Sequence, residues 1–207
     1  MVFRTKKALI KALPIERGAK VLDVGFVGQA VQDSDAEWPH GLLAERTDAL
    51  YGVDLDFDVS RFPGEHYLKA SAGDFMFPVL FDCIFAGDVI EHLSNPGLFL
   101  NACKRALKPG GVLVITTPNA FSFFPLIEKL THDEPNVNPD HTCYFNKRTL
   151  AVLLQKNGFQ NPEYSYLYTL GTLWNGGWKR KFLASLYWFT SLFTPKFLES
   201  LVVTVKN

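Results

Sequence analysis

This chain has no CxxC pair and no even set of cysteines; its three, Cys83, Cys103 and Cys143, lie far apart. A disulfide framework therefore has no basis, and a reducing, cytoplasmic compartment is expected. There is no charge excess either, since 21 Lys and Arg balance 21 Asp and Glu; charge gives no reason to expect a nucleic-acid partner. Long hydrophobic runs are also missing. The uncharged run between Lys181 and Lys196 is fourteen residues, short of the roughly 18 that span a bilayer. The first twenty residues break their apolar positions with lysine and show no signal-type core. Attachment to a membrane surface stays open, whereas spanning does not. Finally, GxGxxG is absent: Gly25 is followed by Gly28 with Phe26 and Val27 between, which removes the main signature of a dinucleotide site.

What is present is a run of apolar segments bounded by turn residues, at 20–25, 50–54, 66–70, 81–86 and 111–117. Segments with helical spacing lie between several of them, and this alternation predicts an α/β fold, a doubly wound and mostly parallel sheet. Helices are expected from "TKKALIKAL", from "SNPGLFLNACKRALKPGG" with Ser94 or Asn95 as N-cap and Pro109-Gly110 as the stop, and from Asn146 to Gly158. "PEYSYLYTL" and "LVVTVK" read as two further strands. No repeat or linker interrupts residues 1–207, so a single domain is expected, with an aromatic and basic helical insertion at about 171–199.

"VLDVGFVG" ends a strand in Asp23 and turns at Gly25 and Gly28. Backbone N–H groups and a helix start beside one carboxylate suit a ligand of both charges; a pyrophosphate wants the helix end without the acid. S-adenosylmethionine, with an ammonium, a carboxylate and a sulfonium, meets that description. Asp54, at the tip of "YGVDLD", can accept from the ribose hydroxyls of either cofactor, and "SAGDFMFP" offers Asp74 and Phe75 for an adenine.

Together "VLDVGFVG", "YGVDLD", "GDFMFP", "FDCIFAGDVIEHLSNP" and "LKPGGVLVITTPN" resemble class I S-adenosylmethionine-dependent methyltransferases, especially the branch with the ubiquinone-pathway O-methyltransferases. The resemblance covers residues 18 to about 160. It implies a Rossmann-like seven-stranded sheet with an antiparallel last strand. It also implies a cofactor site in which Asp23, Gly25 and Gly28 face the methionine end, Asp54 and Leu55 the ribose, and Asp74 and Phe75 the adenine, with Gly87 a further cofactor-binding residue. Two departures stand out: Val27 and Gln29 stand where the family usually has glycines, and thirty-one positions separate Asp23 from Asp54, against about twenty in the family. The added "QDSDAEWPH" is placed to cover the cofactor.

On the acceptor side, Asp88, Glu91 and His92 follow the fourth strand, and the long loop after the fifth delivers His141. A hydroxyl acceptor must lose a proton, which makes His141, with Glu91 and His92, the candidate catalytic set. The arrangement is similar to small-RNA 2′-O-methyltransferases that bind a divalent ion, with Asp88 in place of a longer Glu; Glu-His at this place is also widespread in metal-free relatives, capping the helix. A metal is thus possible without being required. His40, His66 and His132 read as surface or loop residues.

Residues 164–207 carry a net charge of +4 and eleven of the aromatic residues. As a helix over 180–194, Phe182, Leu186, Phe189 and Phe193 form one stripe opposite Trp188. That stripe is expected to pack on the sheet or at a homo-oligomer interface, or else to form a lid over an amphipathic acceptor, with peripheral membrane contact. The function expected is O-methylation of a small-molecule or lipid-like acceptor. An inactive binding module and a nicotinamide-dependent oxidoreductase are the alternatives.

Overall fold

The computed structural model describes residues 1–27, 36–135, 137–168 and 177–207. Apolar runs that do not alternate with polar residues become strands buried on both sides: β2 (Lys20–Val24), β3 (Ala49–Asp54), β5 (Phe81–Gly87) and most of β6 (Leu107–Pro118). With β1 (Val2–Phe3), β4 (Tyr67–Lys69), β7 (Gln160–Leu167) and β8 (Ser200–Lys206) they form one sheet in the order β1-β7-β8-β6-β5-β2-β3-β4. β8 runs antiparallel to both β6 and β7, and the other pairings are parallel. The sheet is thus the expected doubly wound, mostly parallel one, with eight strands instead of seven. The extra strand is the pair Val2–Phe3 beside Tyr166 and Leu167, too short to leave a periodic signal in sequence.

Helices close both faces. α1 (Lys6–Ala12) is capped by Thr5, whose Oγ1 accepts from the Ala8 N–H at 3.0 Å. The Glu37 carboxylate accepts from Lys6 N–H at 2.6 Å and also from Lys7 N–H, a negative charge at a helix start. α1 and α2 (Pro39–Ala44) lay Leu9, Ile10, Leu42 and Leu43 on Val21, Cys83, Phe85, Val112 and Val114. The alternate strand positions Leu22, Ile84, Ala86, Leu113 and Ile115 face α3 (Pro96–Ala106) and α5 (Lys147–Lys156). Asn95 caps α3 and an Asn146–Thr149 capping box starts α5, which closes on Gly158 at φ 82°. α3 stops at Ala106, short of the expected Pro109-Gly110, because Leu107 is already extended and paired with Phe81.

α4 (Phe123–Thr131) and α6 (Trp178–Phe193) lie over the β7–β8 side. The expected stripe of α6 does not pack on the sheet. Ala184 and Tyr187 are the buried positions, and Tyr187 packs among Phe123, Phe124 and Tyr168. Phe182, Leu186 and Phe189 are exposed. Ring-on-ring contact with Tyr168, 5.4 Å between centroids, fixes the rotation of the helix in place of the phenylalanine stripe. The Phe193 side chain and residues 171–176 of the expected insertion lie outside what is described. Among the described residues no helix is long and apolar enough to cross a membrane.

Candidate functional site

The carboxyl ends of β2, β3, β5 and β6 open onto one cavity of about 1330 Å³, the edge at which ligands bind in this architecture. Gly25 forms the end of β2 at φ 74°, and a Cβ there would lie 2.6 Å from Val89 Cγ2. Only glycine fits, so this wall presents bare backbone. Asp54, at the tip of β3, accepts from the Val27 N–H at 3.0 Å and, through its other oxygen, from the Leu55 N–H at 2.8 Å. Each oxygen keeps a lone pair for a ligand hydroxyl. Gly25, Val27, Asp54, Leu55 and Gly87 all line the cavity; Gly28 lies outside the described residues.

Phe26, the residue that breaks the glycine pattern, turns away from the cavity. Its ring is buried against Phe57, Phe62, Tyr67 and His40, with centroids 4.8 to 5.3 Å away, and its carbonyl accepts from Trp38 Nε1 at 2.8 Å. Gly52 makes the room, since a Cβ there would stand 2.7 Å from Phe26 Cδ1. The loop therefore changes what lies behind the cavity and leaves its wall open.

Three expectations are corrected here. Asp23 does not face the cavity: it is 2% exposed, and its carboxylate lies 3.1 Å from His40 Nδ1. Burial pushes its pKa up, against the opposing pull of His40. His40 is no surface residue, being 3% exposed and bridging Asp23 to the Tyr67 hydroxyl at 3.2 Å. On the adenine side the wall is Ala70, Ser71 and Ala72. Asp74 bridges back to Ser71 and Phe75 is buried in the core, because the chain turns immediately after β4 and carries them past the cavity.

The other end of the cavity holds the candidate acid–base groups. Asp88 sits in the left-handed region at φ 56°, held by Thr116, which donates to its Oδ1 at 3.0 Å, and by Lys6, 3.5 Å from its Oδ2. Such strain costs about 1–3 kcal/mol and gathers at functional sites. Glu91 and His92 follow in a 3-10 turn, Ile90–His92, separate from α3. The Glu91 carbonyl accepts from Thr142 N–H at 2.8 Å and from its hydroxyl at 3.0 Å. This strap brings the long loop onto the turn and sets the His141 ring 4.6 Å from that of His92.

Glu91 is 1% exposed; Thr117 donates to its Oε2 at 2.9 Å, and its Oε1 has no partner among the described residues. Burial first, then the nearby Asp88 charge, pushes its pKa up to about 8. His141 moves down from its ordinary value through burial and the neighbouring His92, which favours its neutral imidazole. Donor atoms of Glu91, His92 and His141 all lie within 4.8 Å of one another, a carboxylate and two imidazoles able to hold a divalent ion. Asp88, expected with them, is drawn instead to Lys6 and Thr116.

A family profile described as a methyltransferase domain matches residues 2–164. A probable S-adenosylmethionine-dependent methyltransferase of Mycolicibacterium smegmatis is 30% identical over 142 residues, covering 66% of this chain and 51% of that protein. A ubiquinone biosynthesis O-methyltransferase of Caulobacter vibrioides is 30% identical over 111 residues, covering 49% and 42%. The chain thus spans about half or less of the length of these curated relatives. A solved S-adenosylmethionine-dependent methyltransferase from Archaeoglobus fulgidus shares the fold, with a TM-score of 0.62 at 18% identity over 98% of this chain and 92% of that one. The bare Gly25 turn and the Asp54 carboxylate at the strand tips fit the cofactor of these relatives, and the chain belongs to the S-adenosylmethionine-dependent methyltransferases of class I.

Proposed function

We propose that this protein transfers a methyl group from S-adenosylmethionine to an oxygen of a small or lipid-like acceptor. The observation that carries this reading is that one cavity joins the Gly25–Asp54 end to the Glu91–His141 end. Asp54 and the backbone at Gly25 and Leu55 would hold the cofactor, which supplies an electrophilic methyl on its sulfonium. The chain's own contribution is to position the acceptor and take its proton. His141, whose lowered pKa favours the neutral imidazole, accepts the hydroxyl proton as the new C–O bond forms. Glu91, protonated at neutral pH by its raised pKa, adds no negative charge beside the reacting oxygen. Leu93, Phe124, Pro125 and Val137 give the cavity apolar wall, which excludes water from a reaction that depends mainly on positioning.

Labelled S-adenosylmethionine, offered with matched phenol, carboxylate and amine acceptors, tests the reading. Transfer to an oxygen that falls on the order of 10²-fold or more in His141→Gln supports it. Transfer to nitrogen alone, or full activity in the variant, refutes it. The convergence of Glu91, His92 and His141 favours a second reading, in which a divalent cation polarises the acceptor oxygen. Chelator treatment separates the two: transfer survives if His141 is the base and stops if a cation is required.

A further inference from the structure

Among its described side chains, helix α6 carries several large apolar ones on the outside. Phe182, Leu186, Trp188 and Phe189 are between 41% and 65% exposed and outline an open groove. The helix is held to the body by Ala184 and Tyr187. The rings that receive Tyr187 include Phe124 and Tyr168, at 5.3 and 5.4 Å between centroids, and both also line the cavity. α6 itself, with Tyr187 and this ring layer on its inner side, therefore stands between the outer apolar face and the candidate active site.

The charge of this segment of the sequence identifies what it fits. Between Glu163 and Glu199 the sequence has no acidic residue but has Lys179, Arg180, Lys181 and Lys196. Exposed aromatic side chains on a helix with cations and no carboxylates match an anionic lipid surface, where rings enter the headgroup boundary and cations meet phosphates. A second copy of the chain fits worse: α6 against α6 would bring two cationic segments together without an acid between them.

We propose that α6 docks this protein on an anionic membrane surface, with Phe182, Leu186 and Trp188 entering the headgroup region. Docking in this way holds the cavity, which lies behind α6 across Tyr187 and the Phe124–Tyr168 rings, near the lipid where an amphipathic acceptor would be found. Lipid binding is read out without methyl transfer, so its failure and that of the acceptor chemistry are distinguishable.

The test is sedimentation of the full chain with equimolar phosphatidylcholine and phosphatidylglycerol vesicles, and with phosphatidylcholine vesicles alone. Expected is association with the anionic vesicles that weakens with salt and is far weaker with the neutral ones. Phe182→Ser and Trp188→Ser each lower the partition coefficient roughly tenfold, and Lys181→Gln lowers it roughly fivefold, with thermal midpoints unchanged because all three side chains are exposed. No association with either vesicle, or association unchanged in the variants, overturns the proposal. So does a solution dimer that Phe182→Ser or Trp188→Ser dissociates, which would give this face to a second copy.

Discussion

Replacing Glu91 with glutamine changes how stability responds to pH. In the wild type, burial and Asp88 raise the carboxyl pKa to about 8 from its ordinary 4.5. The native state then binds this proton more tightly than the unfolded chain does. Stability from the group is fully present below the ordinary carboxyl range and is lost as pH rises through about 8. Between about pH 6 and about pH 8, the loss from this one group is ~2 kcal/mol. Glutamine keeps the side-chain shape and an oxygen for the Thr117 hydroxyl, but it does not titrate. Asp23, whose pKa burial also raises, contributes to both proteins and cancels in the comparison. Urea unfolding across this pH range in chelator-treated buffer is the assay. The variant's stability should fall by about 2 kcal/mol less than the wild type's over the range. Parallel profiles would refute the assignment of a buried, proton-binding carboxyl to Glu91.

Gly52→Ala puts a Cβ 2.7 Å from Phe26 Cδ1 and 2.9 Å from Tyr67 Cδ1, an overpacking cost of about 1–3 kcal/mol. Phe26→Leu in the same chain should recover part of it in a double-mutant cycle of denaturant unfolding. If His141 is the base, kcat/KM rises with pH and levels off above an apparent pKa lower than 6.5, the ordinary value from which burial and His92 displace it. That limb should vanish in His141→Gln while KM for the cofactor stays within a few-fold.

Much of this architecture was legible because it depends on local signals. Apolar runs bounded by turns marked the inner strands, and Asn95, Asn146 and Gly158 marked helix ends. Gly25, Asp54, Leu55, Gly87, Glu91 and His141 all reach the cavity, as their motifs implied. What escaped depends on contacts between distant segments. Nothing near Phe26 in sequence shows that Gly52 leaves it space or that Phe57, Phe62 and Tyr67 receive its ring. The burial of His40 needs the same neighbours, so a histidine without nearby partners in sequence read as exposed. Asp74 and Phe75 were placed on the cavity by motif order, but the turn after β4 leaves Ser71 there instead. The α6 stripe does not pack on the sheet for a related reason: hydrophobic periodicity marks a face without saying which neighbour covers it, and Tyr187 finds a ring cluster while Phe182 finds none of the core.

The central claim is that the Gly25 turn and Asp54 hold the cofactor although Phe26 and Val27 stand in the glycine loop. Calorimetric titration with S-adenosylhomocysteine tests it most directly, using the wild type and Asp54→Ala, both shown to be folded by thermal unfolding. The account predicts saturable binding by the wild type, weakened about tenfold or more in the variant by loss of hydrogen bonds to a charged acceptor. A folded wild type that does not bind, or a variant that binds equally well, would contradict it.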